Sequence, residues 1–224
     1  MRCRYCQTLI VRNLTVWEIL FPLTITSSRC LACEQLFERT MQPHCPTCSK
    51  IGVREKCQEC HLWQAQYPNY AFKHEALFQY NEGFQQWIFQ YKFQGNYQLR
   101  YTFQEEVRQY FKSKKALICP IPLSTERYQQ RGFNQVEAML EAANIPITKL
   151  LTKAVDTTPQ SERTRQERLE MLQPFQLIGD PAQIKDQAII LVDDVYTTGR
   201  TIFHAAEVLL SYKPKSVHSF SLAR

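Results

Sequence analysis

Four consecutive branched apolar residues, Ile189-Ile190-Leu191-Val192, run straight into Asp193-Asp194-Val195-Tyr196-Thr197-Thr198-Gly199-Arg200-Thr201. A strand with no polar alternation is buried on both faces, the habit of parallel sheets covered by helices. In open sheets of that kind ligands bind at the carboxyl ends of the strands, and there this chain places two carboxylates. A short Thr/Gly turn running into a helix leaves backbone N–H groups aimed outward, which suits a phosphate. The hydroxyls of Thr197, Thr198 and Thr201 add donors, and Gly199 lets an anion approach the backbone with no Cβ in the way. Asp193 and Asp194 would repel that phosphate, so they need another task. Adjacent strand-end acids can accept hydrogen bonds from the two vicinal hydroxyls of a ribose or hold Mg2+ through water.

The segment resembles the phosphoribosyl pyrophosphate (PRPP) signature of type I phosphoribosyltransferases: four hydrophobics, two acids, two variable residues, then Thr-Thr-Gly-x-Thr. That resemblance implies that Asp193 and Asp194 contact the ribose hydroxyls, with Mg2+ accompanying the PRPP. It also implies that Thr197, Thr198, Gly199, Arg200 and Thr201 wrap the 5'-phosphate. The plainer alternative is a buried strand whose acids cap the following helix. A Walker B strand also ends in acids, but it requires a Gly-x-x-x-x-Gly-Lys-Ser/Thr partner, which this chain of six glycines lacks.

Eight of the nine cysteines form four Cys-x-x-Cys pairs, and Cys119 is left over inside an apolar strand. In a secreted protein such a number would suggest disulfides; this spacing is that of metal knuckles in a reducing compartment. Cys3, Cys6, Cys30 and Cys33 make one set of ligands, and Cys45, Cys48, Cys57 and Cys60 a second. Each set supplies the all-thiolate tetrahedral shell of a structural Zn2+, closed to catalysis. Sequential pairing closes the shorter loops, with a cross-braced arrangement as the alternative. His44 and His61 adjoin these pairs and are read as solvated residues beside sites already complete. A stretch of some sixty residues with so little apolar periodicity needs the metal in order to fold. Trp17 to Phe21 is expected to form a helical turn against the neighbouring domain. Loss of one ribbon's ligand is expected to leave the α/β core standing.

The formal charge of +6 invites a nucleic-acid reading. Eight bound thiolates and two Zn2+ would reduce it to about +2, so a local basic stripe is what matters. The longest apolar runs fall far short of the ~18 residues that cross a bilayer, and Met1-Arg2-Cys3-Arg4 has no signal-peptide core. The cytoplasm is the expected compartment.

Gln64 to Asn69, with Pro68, reads as a link, which gives a ribbon domain over 1–69 and an α/β domain over 70–224. In the second domain Ala76 to Tyr80 predicts a strand, and Phe84, Trp87, Ile88 and Tyr91 recur at helical spacing as a core stripe. A helix over Leu99 to Phe111, strands over Ala116 to Leu123 and Ile147 to Leu151, and a helix over Val136 to Ala143 follow. Phe175 to Ile178 predicts an edge strand, Thr201 to Tyr212 a helix, and Val217 to Leu222 the last strand. Between the second strand and its helix, Ser124 to Gln135 reads as a basic loop in which Arg127 and Arg131 can grip a polyanion such as pyrophosphate. Arg163, Arg165 and Arg168 alternate with acids, the pattern of a solvated mixed-charge segment.

Pro120-x-Pro122-Leu123 with Arg127-x-x-x-Arg131-Gly132-Phe133-Asn134-Gln135 is similar to the ComF family of competence proteins. So are Tyr80-Asn81-Glu82, Lys92-Phe93-x-Gly95 and the cysteine pairs, so that the likeness covers nearly the whole chain. It implies a type I phosphoribosyltransferase-like α/β fold, with a mainly parallel sheet, helices on both faces and an N-terminal double zinc ribbon. It also implies a late-competence role in DNA uptake, in partnership with a ComFA-type helicase handling incoming single-stranded DNA, with recruitment to the inner face of the membrane as an option. In the parent fold the Arg127 loop faces the pyrophosphate of PRPP, and the loop closing over PRPP falls at Thr157 to Met171. Weak, sequence-independent DNA binding would draw on Arg2, Arg4, Arg12, Arg127 and Arg131, with Tyr5, Trp17 or Trp63 for stacking. Two other functions fit the motifs: an active phosphoribosyltransferase with an amine or nucleobase acceptor, and a zinc-ribbon nucleic-acid regulator that senses a sugar phosphate.

Overall fold

The apolar run at Ile189 lies at the centre of a sheet. The computed structural model describes residues 2–10, 16–20, 28–153 and 173–224. Four parallel strands, β1 (His74–Phe78), β2 (Leu117–Pro120), β5 (Ala188–Val195) and β6 (Ser216–Ala223), lie in the order β1-β6-β5-β2. β5 is paired along both edges, Ile190 opposite Ile118 on one side and His218 on the other. The remaining strands, β3 (Leu151–Lys153) and β4 (Phe175–Leu177), form a separate antiparallel pair.

The period of two in a strand divides the core. Ile190 and Val192 point to a layer built from α4 (Glu82–Phe93), α5 (Gln104–Phe111) and α7 (Gln135–Ala142), where Phe84, Trp87, Ile88 and Tyr91 form the expected stripe. Ile189 and Leu191 point to the opposite layer, where Ile202, Ala205 and Leu209 of α8 (Arg200–Leu210) cover them together with Leu150 and Phe175. Each large apolar side chain so buried contributes about 1.5–3 kcal/mol. Helices therefore cover both faces, as the unalternating strand requires.

Three short helices lie in the N-terminal part: α1 (Val16–Leu20), α2 (Leu31–Gln35) and α3 (Gln58–Gln66). The two cysteine groups join opposite faces of the sheet. Cys45, Cys48, Cys57 and Cys60 belong to the α8 layer, whereas Phe37 and Tyr5, beside the first group, pack into the α4 layer. Gly83 at the start of α4 lies so close to the Leu36 carbonyl that a Cβ there would collide with it.

Several elements depart from the sequence reading. Ser124 to Gln135 is not a loop throughout: Ser124 caps a helix, α6 (Thr125–Arg131), which ends at Gly132 with φ +76°. Arg127 and Arg131 thus sit four apart on one helical face. Tyr97–Tyr101 is a 3-10 turn separate from α5, though Leu99, Phe103, Val107 and Phe111 are all buried as the spacing demands. The strand expected over Ile147 to Leu151 begins only at Leu151; Pro146 has no N–H to give, and Thr148 N–H makes one bond to the Ile118 carbonyl at 2.8 Å. Gln64 to Gln66 is the last turn of α3, not a link. The apolar residues of α1 bury little of their surface: Val16, Trp17, Ile19 and Leu20 keep 62–75% of it exposed. Phe21, Arg12 and the segment Thr157 to Met171 with its arginines lie outside the described residues.

Candidate functional site

β5 delivers Asp193 and Asp194 to the carboxyl edge of the sheet, and the chain then turns through Tyr196 to Gly199 into α8. Gly199 has φ +83°, a conformation that L side chains rarely adopt, and a Cβ there would strike the Tyr196 hydroxyl. Glycine is therefore required twice over. Thr197 and Thr198 are exposed at the apex, and Arg200 and Thr201, also exposed, open the helix.

The two acids differ. Asp194 is 9% exposed and accepts a 2.7 Å hydrogen bond from Lys92 Nζ at the end of α4. Asp193 keeps more of its surface and accepts from the Asp194 backbone N–H at 2.9 Å. Burial of the Asp193 carboxyl, and after it the Asp194 carboxylate, pushes the Asp193 pKa up to about 7; Lys92 and Lys153 pull the other way. The Arg131 guanidinium, its pKa held down mainly by its own burial, is drawn by Asp194 and Asp193 and repelled by Arg127. It donates to Gln135 Oε1 at 2.8 Å and lies over the Phe93 ring at 5.5 Å. Arg131 thus lies within electrostatic reach of Asp193 and Asp194, with Arg127 beside it on α6.

Sequence reasoning passed over Lys92 and Lys153. Lys92 looks like an ordinary basic residue in the last turn of a helix, and only the fold brings it across to β5. Lys153 stands at the end of β3, whose extent the sequence misplaces.

The cysteines gather as two groups of four, Cys3/Cys6/Cys30/Cys33 and Cys45/Cys48/Cys57/Cys60, the ligand atoms of each within 4.8 Å of one another. A tetrahedron with Zn–S near 2.3 Å has sulfur edges of about 3.8 Å. The separations Cys6–Cys30 at 3.7 Å, Cys48–Cys57 at 3.6 Å and Cys45–Cys60 at 3.9 Å fit that shell. Backbone N–H groups of Cys30 and Cys57 donate to the sulfurs of Cys3 and Cys45, each at 3.3 Å, as suits thiolates. All nine cysteines are free thiols, so no disulfide competes for these sulfurs. Each group could hold a metal ion. His44 stands outside them; its ring nitrogens face the Gln42 side chain and the Cys45 carbonyl.

Of the residues considered for DNA, Arg2 and Arg4 are exposed and, with Asn96, Gln98 and Tyr101, line a recess of about 400 Å³. Arg4 lies 5.2 Å over the Tyr101 ring. Tyr5 packs on Phe37 at 5.6 Å. Trp63 has one face stacked on Phe203 at 4.1 Å, so that face is closed to a base.

Residues 129–224 match the model of the phosphoribosyl transferase domain family, a span that includes β5, the turn and α8. Over its full length the chain is 36% identical to a protein named competence protein ComFC from Streptococcus pneumoniae (strain ATCC BAA-255 / R6), all of which is covered. It is 29% identical to competence protein ComFC of Bacillus subtilis (strain 168), over 99% of this chain and 94% of that protein. Among solved structures, a hypoxanthine phosphoribosyltransferase of Staphylococcus aureus matches at 14% identity with a TM-score of 0.33, over 58% of this chain and 64% of that one, too weak a likeness to build on.

Proposed function

This chain belongs to the ComFC family of competence proteins, and from that premise we propose that it serves DNA uptake in natural transformation, with a PRPP-type ligand and Mg2+ held at the end of β5. The observation that supports the reading is the pair of strand-end acids that runs into the Thr/Gly turn with Lys92 bonded to Asp194 and with Arg131 and Lys153 within electrostatic reach. Asp193 and Asp194 accept from the ribose hydroxyls; the hydroxyls and N–H groups of 197–201 take the 5'-phosphate; Arg127 and Arg131 take the pyrophosphate. Asp193 and Asp194 would also be the residues to hold Mg2+ through water, and the ion would supply neutralising charge there. Lys92 occupies Asp194 here, offsetting a charge that would otherwise be buried alone.

The two cysteine groups each hold a structural Zn2+. The chain works in the cytoplasm, at the inner face of the membrane, with a ComFA-type helicase on incoming single-stranded DNA. Among the described residues no helix is long and apolar enough to cross a membrane. The exposed arginines and Tyr101 beside the first cysteine group support weak, sequence-tolerant contact with that strand.

Titration with PRPP and Mg2+ tests the ligand. One saturable site per chain is expected, lost in Asp193→Asn/Asp194→Asn; denaturant unfolding of the variant separates loss of ligand from loss of fold, because the change also removes the carboxylate that Lys92 pairs with. Equal affinity in the double variant would remove the assignment.

A second reading, a working phosphoribosyltransferase, is favoured by the Asp193 carboxyl near 7, which is poised to exchange protons at neutral pH. Pyrophosphate release on adding PRPP with amine or nucleobase acceptors would establish turnover; its absence across both acceptor classes would leave a binding module.

A further inference from the structure

Two carbonyls of the turn that carries Thr197, Thr198 and Gly199 are tied down by side chains from outside the turn, one from α3 and one from the residue that follows β6. Trp63 Nε1–H on α3 donates to the Thr198 carbonyl at 2.8 Å, and Arg224 Nη1 donates to the Thr197 carbonyl at 2.9 Å. Both ties lead back to the second cysteine group. Cys57 is the N-cap of α3 and Cys60 lies in its first turn, so that Trp63, three residues further on, rides on the same helical face as a metal ligand. Arg224 is fixed by Glu59, between those two cysteines, through a 3.0 Å ion pair, and its guanidinium lies 4.5 Å over the Tyr196 ring. Trp63 also stacks on Phe203 of α8 at 4.1 Å and 11°, which clamps the helix that the turn opens.

A trans peptide points its C=O and its N–H to opposite sides. Fixing the Thr197 carbonyl therefore aims the Thr198 N–H away from Arg224, and fixing the Thr198 carbonyl aims the Gly199 N–H away from Trp63. These are two of the donors that an anion at the turn would use.

We propose that Trp63 and Arg224 are positioning residues through which the second cysteine ribbon, when metal-bound, orients the phosphate-binding N–H groups of the 197–201 turn. The ribbon is then part of the binding machinery at a distance. Coupling of this kind is reciprocal, so ligand at the turn strengthens retention of the metal in the second group and not in the first. The functional half of this rests on reading the turn as a phosphate site; the orienting half does not.

The test keeps the full chain with both Zn2+ bound and compares wild type with Trp63→Phe, which keeps an aromatic ring against Phe203 and removes the indole N–H. Backbone amide order parameters at Thr198 and Gly199 should fall, while exchange protection of the β5 amides and a content of two zinc ions stay unchanged. Arg224→Lys should retain part of the ordering that Arg224→Ala loses. Unchanged order parameters at the turn in Trp63→Phe would overturn the proposal. With PRPP and Mg2+ as the probe, affinity should fall roughly two- to tenfold, the range that one hydrogen bond commands; equal affinity in wild type and variant would overturn the functional half. If wild type itself binds no PRPP, the sugar-phosphate reading fails, while the order parameters at the turn still decide whether the ribbon orients it.

Discussion

The two cysteine groups have the same ligands and the same spacing within each pair, yet they sit in different surroundings. Every cysteine of the second group is buried, and the group is packed into the layer that covers Ile189 and Leu191. In the first group Cys6 is exposed and Cys30 partly so, and attachment to the rest of the chain runs through charge as well as packing: Arg29, 3% exposed and next to Cys30, pairs with Glu106 of α5 and with Glu34. The difference teaches that a metal knuckle's role is set by what its helix touches next. α3 continues from the second group to the 197–201 turn through Trp63, whereas α2 leads from the first to the opposite face of the sheet.

The largest effect that separates the groups should come from their ligands. Cys57→Ser should cost one zinc, several kcal/mol of stability and PRPP binding together, because structural zinc is folding energy and this ribbon covers the central strand. That departs from the expectation of an α/β core indifferent to its ribbons. Cys6→Ser should likewise cost one zinc but leave PRPP affinity within about twofold. Elemental analysis, thermal denaturation and titration on the two variants decide it; equal loss of affinity in both would erase the contrast.

Glu106→Gln should come next. It weakens the buried pairing of Arg29 while Glu34 stays in place, a change of about 1.5–3 kcal/mol, and should loosen the first group while leaving the order of the turn at Thr198 and Gly199 as in wild type. Denaturant unfolding measures the first and amide order parameters the second.

A smaller effect lies in pH. Folding raises the Asp193 carboxyl from 3.8 to about 7. Between those values the folded chain holds a proton that the unfolded chain has released, so stability from this group is full below about pH 4 and is lost as pH rises through 7. The loss is up to about 1.4 kcal/mol per pH unit, and Asp193→Asn should abolish it. A slope identical in wild type and variant would show that Asp193 is not so perturbed.

The smallest effect concerns DNA. If the first group's flank tracks the strand, Arg4→Ala should flatten the salt dependence of single-stranded DNA binding by about 0.7 in log–log slope, and Lys56→Ala beside the second group should not. A flat dependence in wild type would make the chain an adaptor for the helicase.

Much of this molecule is written in local patterns. The unalternating run at Ile189 gave the doubly covered parallel strand, the helical spacing of Phe84, Trp87, Ile88 and Tyr91 gave the α4 core face, and Cys-x-x-Cys pairs in order gave the two groups. What escaped depends on distant residues. Lys92 joins Asp194 across 102 positions, and Trp63 joins Thr198 across 135, and no periodicity encodes either. The late start of β3 follows from a proline and a single interstrand bond, and the helix at Thr125 from a serine cap, signals easily outweighed by the basic character of the segment.

The most direct measurement is the rate at which zinc leaves the intact protein for a zinc-selective chromophoric chelator, with and without PRPP and Mg2+. Two phases of equal amplitude are expected, and ligand should slow only one of them, the phase that is missing in Cys57→Ser and retained in Cys6→Ser. Ligand that slows neither phase, or both alike, would contradict a second ribbon built to hold the phosphate turn.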